Sequence, residues 1–212
     1  MEDEILYEEY KDYLEEMVNI GAGNATAALE EILKYKFDMV LPELHVLPPH
    51  KSFSEIGESS LPVMCVKMNM IGDVKGEIFF VVPRDEVKHI LELARGSIGQ
   101  VPEKGDIADS SIILEIGNIM TGVYLAAIHD FCKLNIYHSV PIMAEDMVQS
   151  LLDETIARLG ADAKVIVIII NKFVSMLQSQ KEINTYLIMI PYKKSEQVLF
   201  NSIKEAKKIC GR

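Results

Sequence analysis

The chain has no tryptophan, only three cysteines, 7% aromatic residues, and 21 lysines and arginines against 32 aspartates and glutamates. A net charge of −11 provides no basic stripe to neutralise phosphates, so no nucleic-acid partner is expected. Cys65, Cys132 and Cys210 are odd in number and lack paired spacing, which argues against a disulfide framework and suits a reducing compartment. Cys65 and Cys132 lie in apolar surroundings and read as small core residues. The longest apolar run, residues 165–170, is far below the about 20 residues that span a bilayer, so no membrane insertion is expected. The acidic start MEDEILYEEY has the composition of neither a signal nor a transit peptide, and a cytoplasmic protein is the expectation.

Catalytic signatures are scarce too. The five histidines show no paired metal-ligand spacing, and Ser139 has no nucleophile elbow or triad context, so no metal or cofactor of the chain's own is expected. Gly21-Ala22-Gly23-Asn24 resembles a nucleotide-binding loop only superficially. Such loops follow a strand and open a helix, whereas here a helical pattern precedes and outlasts the glycines.

What is present is a sparse polar pattern, written twice. Asp12, Glu16, Asn19 and Pro42 recur as Ser111, Glu115, Asn118 and Pro141, each 99 residues on (111 − 12, 141 − 42). A chance copy of [D/S]-x3-E-x2-N-x22-P should occur in roughly one in several hundred chains of this length. Two copies in register point to duplication with retention of a site.

The surrounding sequence repeats as well. Apolar residues at helical spacing predict long helices over residues 7–35 and 107–134, with Asp106 as the N-cap of the second. Each leads into an extended stretch carrying the proline, residues 39–47 and 136–143. Strand-like runs follow at 62–70 and 75–82, joined by the Gly72-Asp73 turn, and at 164–171 and 184–190. Short helices over 85–94 and 195–206 close the halves, and an extra helix is predicted over 143–159. Pro83 and Pro191 are 108 apart, so nine extra residues are expected in the second hairpin loop. The fold class is thus α/β (α+β): two pseudo-two-fold helix-strand-strand-strand-helix halves, about six strands in one sheet or two paired ones, within one domain of residues 1–212 (repeats about 7–97 and 106–208).

At about 100° per residue, Asp12, Glu16 and Asn19 fall within about 60° of arc, and Ser111, Glu115 and Asn118 repeat this. Gly23 and Gly122, also 99 apart, stand one turn past the asparagines. A helical glycine costs about 1 kcal/mol relative to alanine. Repeating it on a polar face predicts either a landing surface for a partner's backbone or close packing within the chain. An asparagine amide donates and accepts, so it can fix one water; placing an attacking water is much of what phosphoryl hydrolysis requires. The exposed glutamate needs a cation to meet. A solvated helix face would explain one copy, but not two asparagines at the same depth in two helices.

This duplicated pattern resembles the signature of the CheC-type phosphatases of bacterial and archaeal chemotaxis, over essentially all 212 residues. The resemblance implies a protein phosphatase acting on the aspartyl phosphate of a CheY-like response regulator, whose own acidic site holds Mg²⁺. Asn19 and Asn118 would orient the attacking water, and Glu16 and Glu115 would pair with the receiver's lysine. Asp12 and Ser111 would make supporting partner contacts, while Pro42 and Pro141 would set the chain's exit from each helix. Two patterns in one chain distinguish it from CheX-like relatives, which carry one site and dimerise; a monomer is expected, and no further C-terminal domain of the FliY-like kind is expected. CheC-type proteins also bind CheD, a receptor deamidase, so an adaptor with weak phosphatase activity is the alternative, discriminated by adding CheD to a turnover assay. Because both partners are acidic, modest, salt-tolerant binding through local pairing and apolar contact is expected.

Overall fold

A computed structural model describes residues 2–49, 60–98, 106–159, 164–175 and 182–210. The elements are α1 (Glu2–Leu33), β1 (Phe37–Leu47), β2 (Pro62–Gly72), β3 (Gly76–Pro83), α2 (Arg84–Ile98), α3 (Asp106–Cys132), β4 (Ile136–His138), β5 (Ile142–Met147), α4 (Val148–Leu159), β6 (Ile166–Ser175), β7 (Glu182–Pro191) and α5 (Lys193–Cys210).

All seven strands form one antiparallel sheet in the order β1-β6-β7-β3-β2-β4, with β5 also on β2. The pseudo-two-fold passes between β3 and β7. Each half lends its first strand to the other: β1 pairs with β6, and β4 and β5 pair with β2. The hydrogen-bond ladders of the two halves are therefore interlocked. A seventh strand arises because the second copy of β1 is broken at residues 139–141 into β4 and β5.

One face of the sheet carries the larger core, in which Leu14, Val18, Ala25 and Leu29 of α1 and Ile113, Ile116, Met120 and Ile128 of α3 meet Val66, Ile78, Phe80 and Leu187 of the strands. The opposite face holds Val63, Cys65, Phe79, Ile168 and Ile188 beneath Val148 and Leu152 of α4. Residues 165–170 are uniformly apolar because β6 is buried on both faces. A buried charge also fastens α4. Glu77 of β3 is 1% exposed, accepts from Thr155 at 3.3 Å and from Arg158, and lies 3.1 Å from Lys67 Nζ. Paired in this way, the carboxylate avoids much of the penalty of an isolated buried charge.

Residues 109–132 of α3 are long and apolar enough to cross a membrane by length and composition alone, yet half of the window is buried inside the protein. Its apolarity follows from packing on the sheet and on α1. Gly21 permits that approach, since a Cβ there would lie 2.7 Å from Cδ1 of Tyr124. The Tyr124 hydroxyl in turn donates to Oδ1 of buried Asn171. Gly117 allows the matching approach to the sheet, 2.7 Å from Val66 Cγ2. Both long helices end in a left-handed lysine, Lys34 and Lys133, each with φ 56° and again 99 apart.

Three expectations require correction. Residues 143–147 are not helical: they belong to β5, and α4 starts at Val148. The weak strand formers Ala144, Glu145 and Asp146 are held extended by pairing with Cys65, Met64 and Val63, a tertiary contact that outweighs local propensity. The extra length of the second half is also not confined to its hairpin. Cys65 and Ile168 occupy equivalent ladder positions, as do Val81 and Ile188, giving offsets of 103 (168 − 65) and 107 (188 − 81). Against 99 for the helices, four residues precede β6 and four lengthen the hairpin, so Pro83 and Pro191 are not equivalent. Finally, the motif prolines do not set the helix exits. Pro42 sits in edge strand β1 at the register shift between Val40 and Glu43, and Pro141 in the break between β4 and β5. With no N–H to offer a ladder, proline is accommodated at such interruptions.

Candidate functional site

The two polar stripes lie on the faces of α1 and α3 left over once the apolar positions are buried. Glu16 is exposed and Asn19 half-buried; Glu115 is exposed and Asn118 half-buried, so each pair repeats the other's setting. Glu and Asn three apart put their Cβ atoms roughly 5–6 Å apart on one face. Among the described residues, none of these four side chains has a hydrogen-bond or ion-pair partner. Their polar ends are free to meet solvent or another molecule. Ser111 is exposed on the same face of α3. Asp12 belongs to α1, but its side chain lies outside the described residues.

The stripe glycines behave differently from the packing glycines beside them. A Cβ on Gly23 would meet nothing within 4 Å, and one on Gly122 would be 3.4 Å from His138 Nε2. Close packing within the chain therefore does not explain Gly23. At Gly122 the neighbour is a half-buried imidazole rather than backbone.

A hollow lies beyond each stripe, one turn past Asn118 on α3 and about two turns past Asn19 on α1. Beside α3, about 400 Å³ is lined by Gly122, Ala126, His129, Ile136, Tyr137 and His138, with Leu125 beneath. Beside α1, about 370 Å³ is lined by Ala27, Glu30, Glu31, Lys34, Tyr35 and Lys36. In the first hollow the imidazoles are held by backbone carbonyls: His138 Nδ1 is 3.0 Å from Ser139 O and His129 Nδ1 is 2.7 Å from Leu134 O. In the second, Lys36 Nζ donates to Glu30 at 2.6 Å and Phe37 N donates at 3.0 Å; these bonds hold the Glu30 carboxyl below the usual carboxylate range. The first hollow was not evident from the sequence, because helix and strand residues meet there only in space; the second is local to residues 27–36 but carries no pattern that marks it. The one cue was the 99-residue offset that makes Ala27 and Ala126, and Glu30 and His129, equivalent.

No cluster of three or more metal-ligating side chains occurs among the described residues. Glu and Asn side chains with no internal partner, on a duplicated surface, can bind a cation and place a water. They do not assemble a nucleophile with its base.

Fold and stripes together define a duplicated protein that presents the same Glu–Asn pair on two long helices. The chain belongs to the CheC family. Residues 109–144, which contain the second pattern from Ser111 to Pro141, match the CheC-like family. The chain is 31% identical over 198 residues to the CheY-P phosphatase CheC of Bacillus subtilis (strain 168), covering 91% of this chain and 93% of that protein. The fold is similar to that of FliY from Thermotoga maritima, with TM-score 0.71, 18% identity, and 93% and 97% of the two chains covered. It is also similar to the FliM middle domain from Vibro alginolyticus, with TM-score 0.59, 12% identity, and 87% and 96% covered. One fold under several names fixes architecture; the site must carry the activity.

Proposed function

We propose that this chain is a single CheC-like domain, residues 1–212, that hydrolyses the aspartyl phosphate of a CheY-like response regulator at two sites. One observation carries the reading: two Glu–Asn pairs, 99 residues apart, stand at an accessible surface without internal partners. The receiver brings its own Mg²⁺ and lysine. Glu16 or Glu115 pairs with that lysine and sets the helix over the acyl phosphate. Asn19 or Asn118 accepts a hydrogen bond from one water and holds it in line with the phosphorus. The water oxygen bonds to phosphorus, the bond to the receiver's aspartate oxygen breaks, and orthophosphate leaves a free carboxylate. Catalysis is chiefly positioning and charge placement, as expected for phosphoryl transfer. Asp12 and Ser111 contribute partner contacts, and the chain acts as a cytoplasmic monomer with no cofactor of its own.

Decay of phosphorylated CheY tests the proposal with wild type, Asn19→Ala, Asn118→Ala and the double variant. Each single variant should lose part of the activity. The double should lose about 100-fold or more, the scale of losing a positioned group in the transition state. A double variant as active as wild type would refute it.

A further inference from the structure

The two catalytic pairs share a backbone frame, but what lies beside them has diverged. Among the described residues, the hollow that starts at Gly122, one turn past Asn118, is lined by no carboxylate, lysine or arginine, whereas the hollow farther along α1, from Ala27 to Lys36, is lined by Glu30, Glu31, Lys34 and Lys36. The same contrast runs along the adjoining edge strands. In the second copy Tyr137 is 59%, Val140 82% and Ile142 65% exposed. The positions ninety-nine residues earlier are Asp38, Leu41 and Glu43, so two of the three become carboxylates while Leu41, 68% exposed, and the neighbouring Val40 stay apolar. Tyr137 lines the hollow itself, and Val140 and Ile142 continue outward from it past Pro141. Exposed side chains of this size, on an edge strand beside a hollow left open by Gly122 and Ala126, form a surface suited to an apolar partner group.

Electrostatics points the same way. A chain of net charge −11 gains nothing at long range from an acidic phosphorylated receiver. Beyond Glu115, the lining of the second hollow adds no carboxylate to that repulsion and offers apolar area. The first site presents both signs of charge and can recognise a receiver by pairing.

We propose that the hollow and ridge formed by Gly122, Ala126, Tyr137, His138, Val140 and Ile142 are the specificity subsite of the second catalytic site, taking an apolar side chain of the phosphorylated receiver. The first site recognises its receiver through charge, so one chain carries two sites with the same chemistry and different selectivity. This inference rests on the phosphatase reading above.

The test uses CheY radiolabelled on its aspartyl phosphate and single-site enzymes: Asn19→Ala leaves only the second site, Asn118→Ala only the first. Adding Tyr137→Ser and Ile142→Ser to Asn19→Ala should raise KM about tenfold or more, with kcat within twofold. The same two substitutions in Asn118→Ala should leave both constants unchanged. Raising salt from 50 to 500 mM should raise KM several-fold for Asn118→Ala and less than twofold for Asn19→Ala. Unchanged KM in Asn19→Ala, equal losses in both backgrounds, or the reverse salt pattern would overturn the proposal. So would sedimentation showing that the ridge joins two copies of this chain, with Tyr137→Ser and Ile142→Ser abolishing a dimer but not altering KM. Full activity in Asn19→Ala/Asn118→Ala would instead remove the phosphatase reading, and this inference with it.

Discussion

Gly23→Ala should make the protein more stable and less active. Gly23 lies inside α1 on the exposed face, and a Cβ built on it meets nothing within 4 Å. The folded state would gain no clash, while the unfolded chain would lose glycine's extra freedom. Exchange of glycine for alanine in a helix interior is worth about 0.5–1 kcal/mol. For a chain of this size that corresponds to about 2–4 °C in Tm per kcal/mol. Gly23 lies on the exposed face of the helix, so Gly23→Leu should also leave Tm at or above wild type. Thermal unfolding followed by circular dichroism measures this part. Decay of phosphorylated CheY, in an Asn118→Ala background that silences the second site, measures the other. If a receiver's backbone settles over Gly23 while Asn19 orients water one turn away, a side chain here lifts the receiver off the phosphoryl group. A shift of about 1 Å is enough to cost about 100-fold. We therefore expect kcat/KM to fall modestly for alanine and steeply for leucine. Raised Tm with unaltered kcat/KM in both variants would refute the landing-surface reasoning; lowered Tm would refute the claim of open space.

Gly21→Ala, two residues away, should act with the opposite sign. Its Cβ would come within 2.7 Å of the Tyr124 ring, which the buried bond to Asn171 keeps from swinging aside. Overpacking of about 1–3 kcal/mol should outweigh the helical gain, so the urea midpoint should fall; an increase would contradict the packing described. For the cysteines, burial pushes the Cys65 and Cys132 thiols up to about 12. The folded state then retains protons that the unfolded chain releases from about pH 9, so this contribution to stability is present at neutral pH and lost as pH rises through that range. Iodoacetamide at pH 8 should leave both residues unmodified in native protein and label them in denaturant, read by peptide mass spectrometry; native labelling would contradict their burial.

The stripes were legible because helical periodicity assigns a face to every residue, and a few polar groups stand out against Leu14, Val18, Ile113 and Ile116. The first hairpin was legible from the Gly72-Asp73 turn between two apolar runs, and the second from its apolar runs alone. The exchange of first strands was not, because nothing local in residues 37–47 says that they will pair with 166–175 rather than 62–72. For the same reason Ala144-Glu145-Asp146 read as helix: only the neighbouring strand makes them extended. The left-handed lysines were hidden because that conformation favours glycine or asparagine, and Lys34 and Lys133 carry neither cue. At the candidate site, the Glu–Asn pairs were visible as sequence. The hollow beside α3 was not, since His129 and His138 meet across a helix–strand seam.

The strand exchange bears on why both sites persist. β1 borders the first stripe's helix but is bonded to the second half's β6; β4 and β5 follow the second stripe's helix but are bonded to the first half's β2. Loss of either half would unpair the other's hairpin, so folding alone can preserve two long helices. Folding does not account for Glu16, Asn19, Glu115 and Asn118, whose side chains make no hydrogen bond or ion pair among the described residues and stand where better helix formers would serve. Their repetition must be maintained from outside the molecule, by whatever docks on these faces. The lining of the hollows is under no such common constraint. Glu30 and Lys36 at one hollow, and His129 and Tyr137 at the other, show how far the two surfaces have diverged around a repeated Glu–Asn pair.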